Sequence, residues 1–276
     1  MSKIESFEIE IPQLKRGRTV WVYLPDNYKQ SGEPCPVIYM HDGQNLFYDK
    51  LTAYGTAWHV DKTMDEICAK YGKGAIIVGV ECYDRARLSE YSPWKMSLAA
   101  SMRQKGTPKH NRGGEGEQYA EFFTKNLKNA VDAKYNTAKE REATAIIGSS
   151  MGSLISCYIG IKHQRLYETM GLFSTYSQFN KGALNNFLSK FPQTLPQHAL
   201  VYCGGKEGDN KRGDKIMAQD SLDLYQRLSK RGVHCELLYN NDFNHSETAW
   251  DFYFDKFARD FLSRYYSVKR TVPATN

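Results

Sequence analysis

The residues best suited to chemistry lie in a glycine-flanked serine pentapeptide, GSSMG, at positions 148–152. It follows the apolar run TAII and opens the apolar segment MGSLISCYIGI, so the sequence predicts a strand, a sharp turn and a helix. A sharp turn crowds its neighbours, and glycines on both sides of the central serine remove the side chains that would collide. The pattern therefore predicts Ser150 as a nucleophile, with Ser149 and Ser153 in structural roles.

A nucleophilic serine needs two partners, because its hydroxyl is weakly nucleophilic at neutral pH. A base must accept the proton and an acid must orient that base, and in a strand–turn–helix setting the acid and the histidine follow the serine in that order. His245 fits as the base because it lies directly after the run CELLYN and directly before the last helical pattern. For the acid, VYCGGKEGD offers Glu207, which we favour because it follows the glycine pair, and Asp209, which stays open as the alternative.

Acyl transfer also needs hydrogen-bond donors for the negative oxygen of the tetrahedral intermediate. The usual donors are the backbone N–H after the nucleophile, here Met151, and one from the loop after an earlier strand, here Gln44. Gln44 lies in MHDGQNLF, where we expect Gly43 to let the backbone approach the substrate closely. We interpret His41 and Asp42 as a structural pair that supports this loop.

The elements that position these residues follow an alternating pattern. Short β-rich runs precede longer helical patterns, which is typical of a mostly parallel sheet with helices on both faces. The first two runs have no helix between them and predict an antiparallel pair at one edge. We predict one α/β domain over residues 1–276. Its expected strands cover 6–11, 19–25, 36–42, 75–81, 143–150, 168–174, 199–205 and 235–240, and its expected helices 58–71, 117–135, 151–163, 214–232 and 246–265.

Two segments lack a periodic pattern. Residues 82–116 predict a long loop near the active site, and residues 268–276 predict a flexible tail. Three aromatic residues are candidate substrate contacts, because aromatic rings can pack against a sugar or an aromatic group. They are Tyr91 and Trp94 within the loop and Tyr176 after the sixth strand.

We expect the charged residues of the long loop to have structural roles and not to bind the substrate. We interpret Arg87 and Glu90 as an ion pair that pins the loop. The basic cluster predicts a solvated loop face; its members are Arg103, Lys105, Lys109, His110 and Arg112.

Composition excludes several classes of function. The 276 residues are 41% hydrophobic, enough for a large core, and the 37 Lys and Arg against 31 Asp and Glu are spread along the chain, which argues against a nucleic-acid surface. The six cysteines show no CxxC pair and predict free buried thiols. We find no export signal, no membrane span and no metal, dinucleotide or Walker-type motif, so we predict a cytoplasmic protein that needs no metal and no cofactor.

Five segments, in this order, resemble the putative-esterase branch of α/β hydrolases. That branch includes feruloyl and acetylxylan esterases, S-formylglutathione hydrolases and siderophore-trilactone esterases. The resemblance runs from about Arg18 to Tyr265 and implies the α/β-hydrolase fold, a triad of Ser150, Glu207 and His245, and oxyanion donors at Gln44 and Met151. The segments are HDGQNLF (41–47), RLSEYSP (87–93), GSSMG (148–152), GGKEGD (204–209) and NHSETAW (244–250).

Together these features predict a serine carboxylic-ester hydrolase that works through an acyl-enzyme. We expect its partner to be a small-molecule or oligosaccharide ester of acetyl or feruloyl type. Three alternatives stay open: a siderophore-trilactone esterase, an acyltransferase, and a non-catalytic binding protein on the same fold. The sequence leaves the acyl group, the alcohol and the oligomeric state open.

Overall fold

An eight-stranded sheet forms the centre of the computed structural model, which describes residues 1–28, 32–53, 55–82, 84–103 and 112–271. The strands are β1 (Lys3–Ile11), β2 (Arg16–Leu24), β3 (Val37–His41), β4 (Ile76–Val80), β5 (Thr144–Ser149), β6 (Thr169–Phe173), β7 (His198–Lys206) and β8 (His234–Asn244). Their order across the sheet is β1-β2-β4-β3-β5-β6-β7-β8.

The strand pairing brings the carboxyl ends of six parallel strands to one edge. β2 pairs antiparallel with β1 and β4, whereas all pairs from β4 to β8 are parallel. In a parallel sheet the loops that follow the strands meet at the carboxyl edge, which is where open α/β sheets bind their ligands. The predicted fold class, a mostly parallel eight-stranded sheet of the α/β-hydrolase type, is confirmed.

Helices cover both faces of the sheet. β3 shows the division, because Val37 and Tyr39 belong to one buried apolar cluster and Ile38 and Met40 to the other. The second cluster is covered by α1 and α9, and the first by helices that include α6 and α8. The helices are α1 (Val60–Tyr71), α2 (Asp84–Glu90), α3 (Leu98–Arg103), α4 (Gly116–Glu121), α5 (Lys128–Lys134), α6 (Met151–Lys162), α7 (Lys181–Lys190), α8 (Lys211–Lys230) and α9 (Glu247–Thr271), with a π-helical stretch at Phe122–Leu127 between α4 and α5.

The structure corrects the prediction of one long loop over residues 82–116. Two short helices, α2 and α3, form there, and an isolated bridge joins Lys95 to Gly113. Their seven and six residues are too few for a period of 3.6 to be visible in the sequence. α7, with ten residues, was missed as well, although Leu184, Phe187 and Leu188 in its sequence KGALNNFLSK have helical spacing. Residues 104–111, with Lys105, Lys109 and His110 of the basic cluster, and residues 272–276 of the predicted tail lie outside the described part of the chain.

A buried ion pair ties α2 to the antiparallel edge of the sheet. The Arg18 side chain on β2 and the Glu90 side chain at the end of α2 are 1% and 0% exposed, and Arg18 donates a hydrogen bond to Glu90. Arg16 also donates to Glu90, at 2.8 Å. The prediction that Glu90 pairs with Arg87 is wrong, because Glu90 faces β2 whereas Arg87 pairs with Asp42.

We expect Glu90→Gln to lower the free energy of unfolding by about 3 kcal/mol, because it removes the carboxylate from a buried guanidinium that cannot return to water. Urea denaturation measures this difference. The control is Glu121→Gln, which breaks the exposed pair with Lys125 and should cost less than about 0.5 kcal/mol. Equal losses in the two variants would contradict a structural role for the Glu90 pair.

Candidate active site

The predicted nucleophile lies on a strained turn between β5 and α6. Ser150 has φ 57° and ψ −119°, a combination that non-glycine residues rarely adopt. A Cβ atom on Gly148 would lie 2.6 Å from the carbonyl carbon and oxygen of Gly152, so the turn closes only with glycine at position 148. The Ser150 N–H donates to the Phe173 carbonyl at 2.9 Å, which holds the turn against the end of β6.

Ser150 and His245 line the same pocket at the carboxyl edge of the sheet. The pocket has a volume of about 320 Å³, and its walls come from the segments that follow β3, β4, β5 and β8. Among the described residues no hydrogen bond joins Ser150 to His245; in enzymes without substrate such contacts are often long and tighten only in the complex. The lining residues are Asp42, Gln44, Asn45, Leu51, Ala53, Cys82, Arg87, Ser149, Ser150, His245, Glu247 and Trp250.

Glu207, rather than Asp209, lies beside His245. The Glu207 Oε2 atom is 3.1 Å from His245 Nδ1, and its side chain is 0% exposed. The other oxygen, Oε1, accepts hydrogen bonds from the Ser174 hydroxyl at 2.5 Å and the Gly204 N–H at 2.6 Å. The Ser174 hydroxyl, the Gly204 N–H and His245 Nδ1 thus surround the Glu207 carboxylate. When Nδ1 carries the proton for Glu207, Nε2 of His245 is left as the basic nitrogen.

A hydrogen-bonded chain behind this pair was not predicted from the sequence. The Trp250 indole N–H donates to Ser174 Oγ at 2.9 Å, and Ser174 in turn donates to Glu207. The Trp250 ring also meets the His245 ring edge to face, with centroids 5.0 Å apart. Ser174 has φ 49°, so its backbone is strained as that of Ser150 is. Ser174 and Trp250 therefore fix the positions of both polar partners of the serine.

A bulge in β8 places His245 next to the end of β7. Gly204 pairs with Asn240 but Lys206 pairs with Asn244, so β8 contains two residues more than β7 over this stretch. A Cβ atom on Gly204 would lie 2.4 Å from the Phe243 carbonyl oxygen, and one on Gly205 would lie 2.6 Å from Asn241 Cα. The glycine pair thus leaves room for the bulged backbone.

Of the two predicted oxyanion donors, Gln44 lines the pocket and Met151 directly follows Ser150 in the chain. Met151 is the first residue of α6, and Gln44 lies in the 3-10 turn Gly43–Asn45. N–H groups in a first helical turn have no acceptor inside the helix, so they remain available to an anion. The expected reason for Gly43 is wrong: its Cβ position is blocked by the Gly79 carbonyl oxygen at 2.6 Å, so the glycine packs against β4.

His41 and Asp42 have separate partners and do not act as one pair. Asp42, with φ 56°, accepts two hydrogen bonds from Arg87 Nε and Nη2, each 2.8 Å long. His41 lies among aromatic rings, and its Nδ1 is 3.0 Å from the Tyr119 hydroxyl. Burial lowers the pKa of His41 to about 3, so its imidazole is neutral and supports the loop by packing.

None of the three predicted aromatic contacts is part of the pocket wall formed by the described residues. Tyr91 is 0% exposed; it contacts the Asp42 N–H through its hydroxyl at 3.0 Å and packs on His41, so it is a core residue. Trp94 packs against Tyr158. Tyr176 is half-buried, and its N–H donates to the Ser150 carbonyl at 3.1 Å. Contact of Trp94 or Tyr176 with a substrate stays a prediction.

Sequence reasoning overlooked an acidic residue of the pocket, Glu247. It is the first residue of α9, is 3% exposed and lines the pocket. Burial raises the pKa of its carboxyl group to about 7. Its distance of two residues from His245 was the only signal in the sequence, and that distance does not show which way the side chain turns.

The described residues hold no group of three or more His, Cys, Asp and Glu side chains that would suit a metal ion. Within the same residues no helix is long and apolar enough to cross a membrane.

We expect Glu247→Gln to make the protein more stable than the wild type by about 3 kcal/mol at pH 8 and to leave stability unchanged near pH 4. The folded pKa lies above the value of about 4.5 for an exposed glutamate, so the wild type loses stability as pH rises between these values. Denaturant titrations at the two pH values measure the difference in unfolding free energy between the variant and the wild type. The control is Glu66→Gln, which removes the same charge from an exposed position on α1. A difference between Glu247→Gln and the wild type that does not change with pH would contradict the burial argument.

Comparison with known proteins agrees with the α/β fold described above. The chain is 25% identical over 217 residues to the uncharacterized protein YbbA of Bacillus subtilis (strain 168), covering 78% of this chain and 79% of YbbA. An IroE-like serine hydrolase from Shewanella oneidensis superposes with a TM-score of 0.75 at 20% identity, over 94% of this chain and 80% of that one. Siderophore hydrolase EstA from Aspergillus nidulans superposes with a TM-score of 0.74 at 14% identity, over 94% of both chains.

The sequence profile described as putative esterase matches residues 11–259, a range that includes Gln44, Ser150, Met151, Glu207 and His245. This span contains strands β2 to β8, the last residue of β1 and about half of α9. The chain therefore belongs to the putative esterase family and is a carboxylesterase of the α/β-hydrolase fold.

Proposed function

We propose that this protein hydrolyses carboxylic esters with Ser150 as the nucleophile, His245 as the general base and Glu207 as the residue that orients the base. The hydrogen bond between Glu207 and His245, at the rim of the pocket that Ser150 lines, carries this proposal. The burial of Glu207 supports it, because a fully buried carboxylate holds the imidazole in one tautomer and stabilises the imidazolium that forms.

The proposed reaction has two halves. Ser150 Oγ attacks the ester carbonyl carbon while its proton passes to His245 Nε2, and the N–H groups of Met151 and Gln44 stabilise the negative oxygen. The carbon–oxygen bond to the alcohol then breaks, and His245 returns the proton to the leaving alcohol. In the second half His245 takes a proton from water, the hydroxide attacks the acyl-enzyme, and the acid leaves as Ser150 regains its proton.

The size of the pocket favours a small ester. A volume of about 320 Å³ lies at the low end of the range for small-molecule sites, which begins near 300 Å³. An acetyl ester fits this volume, and acetyl or feruloyl groups on small alcohols or carbohydrates remain the proposed substrates. The fold shared with siderophore hydrolase EstA supports a siderophore ester as the second candidate. A cytoplasmic location stays a prediction.

We expect Ser150→Ala to lower kcat on 4-nitrophenyl acetate by about ten-thousand-fold or more, because it removes the hydroxyl proposed to form the acyl-enzyme. The control is Ser156→Ala, a buried serine on α6 whose hydroxyl has no hydrogen-bond partner in the described structure. A fluorophosphonate should label the wild type and spare Ser150→Ala. Turnover retained by Ser150→Ala would overturn the assignment, and a wild type that resists labelling would favour a non-catalytic binding protein.

A second comparison tests the acid. We expect Glu207→Gln to lower kcat by about a thousand-fold, since the amide would hold the wrong tautomer of His245, and Asp209→Asn to change it less than about threefold. Steady-state kinetics on the same ester measure both variants, and thermal melts show whether each one folds. The reverse ranking would move the acid to Asp209.

Product analysis separates the remaining alternatives. In the presence of an added alcohol, a hydrolase should release mainly free acid, whereas an acyltransferase should form the new ester. A parallel assay with a siderophore trilactone tests the second substrate candidate.

A further inference from the structure

A buried carboxyl group faces the pocket and takes no part in the proposed reaction. Glu247 begins α9 two residues after His245, and although it is 3% exposed it lines the same pocket as Ser150. A glutamate that is almost fully buried normally pairs with a base or accepts several hydrogen bonds, because burial of an isolated charge is costly. Glu247 forms no ion pair with any described residue.

The other charged groups around Glu247 are already engaged. Asp42, after β3, accepts two hydrogen bonds from Arg87 on α2, so these two charges offset each other. His245, after β8, is held by Glu207. These are the groups whose charges act on Glu247, apart from burial itself. The described wall therefore contains one carboxyl group that lacks a counter-charge.

The surroundings of Glu247 would suit a positively charged group. Trp250 lies one helical turn further along α9 and lines the same pocket, so it adds an aromatic wall. Aromatic rings attract ammonium groups, most strongly where water is excluded. A cation beside Glu247 would supply the missing counter-charge and favour the ionised carboxylate over the neutral form that burial favours.

We propose that Glu247, with Trp250, forms a subsite for an ammonium group of the substrate, so that the enzyme prefers esters bearing a positive charge to neutral esters of the same shape. This inference rests on the proposed esterase function and narrows its substrate class. The subsite places the cation in the Ser150 pocket itself, and the excess of basic residues over the whole chain does not extend to the described pocket wall.

Binding of two isosteres tests the subsite without requiring catalysis. Choline carries a quaternary ammonium group, and 3,3-dimethylbutan-1-ol has the same shape without the charge. By calorimetry at pH 8 we expect choline to bind the wild type at least about fivefold more tightly than the neutral alcohol. The ratio of the two dissociation constants should fall to about one in Glu247→Gln and stay unchanged in Glu66→Gln, the exposed control.

The pH dependence provides a second readout. A cation favours the ionised carboxylate, so the affinity for choline should rise about tenfold from pH 6 to pH 8 as Glu247 ionises, while that for the neutral alcohol stays constant. Glu247→Asp keeps the carboxylate and should keep part of the preference, which guards against a Glu247→Gln variant that fails to fold. Equal binding of the two isosteres, no binding of either, or a preference unchanged in Glu247→Gln would overturn the subsite.

Ester kinetics then separate the subsite from the proposed function. We expect kcat/KM for acetylthiocholine to exceed that for 3,3-dimethylbutyl thioacetate, and Glu247→Gln to remove the difference mainly through KM. Hydrolysis of 4-nitrophenyl acetate without any preference for the cation overturns the subsite alone. Binding of choline that depends on Glu247, without hydrolysis of any ester, overturns the proposed function and retains the cation subsite.

Discussion

The close contact between the backbones of Gly148 and Gly152 is the constraint on which the site depends. It lets β5 end and α6 begin within one turn, which forces Ser150 into a strained conformation and exposes its hydroxyl at the carboxyl edge of the sheet. Backbone strain of this kind costs about 1–3 kcal/mol and persists only where the surrounding structure compensates for it. Here β5 is fully buried between β3 and β6, and α6 packs along its whole length in the core.

The groups around Ser150 are held in place by buried polar contacts that begin in the pocket wall and extend into the core. The Trp250–Ser174–Glu207 chain orients His245 from the side of α9. On the opposite side α2 is anchored twice, through Arg87 to Asp42 and through Glu90 to β2. The reacting groups follow separate strands, and several buried polar contacts therefore fix their positions relative to one another. Such preorganisation lets an enzyme stabilise charge in the transition state without rearranging at that moment.

Much of the fold was predictable because its signals are local. The central strands are short apolar runs, and β5, the GSSMG turn, the helix α6 that it opens and the loop after β3 lie where the order of the elements predicts them. Side-chain directions were not predictable, since they depend on contacts between distant segments. Arg87 turned to Asp42 instead of Glu90, Tyr91 turned inward, and Glu247 turned into the pocket. Ser174 gave no signal at all, because its role exists only where β6, β7 and α9 meet.

The bulge in β8 has a consequence for how this chain can vary through evolution. Two extra residues between Asn240 and Asn244 carry the chain to the position from which His245 meets Glu207. Within this stretch Asn241, Asp242 and Asn244 are exposed and place few demands on residue type, whereas Phe243 packs against Phe252 and Tyr253. The length of this stretch is constrained, because one insertion or deletion would rotate His245 away from Glu207. Related chains should therefore tolerate substitutions here while conserving the number of residues, a pattern that alignment gaps would reveal and identity scores would not.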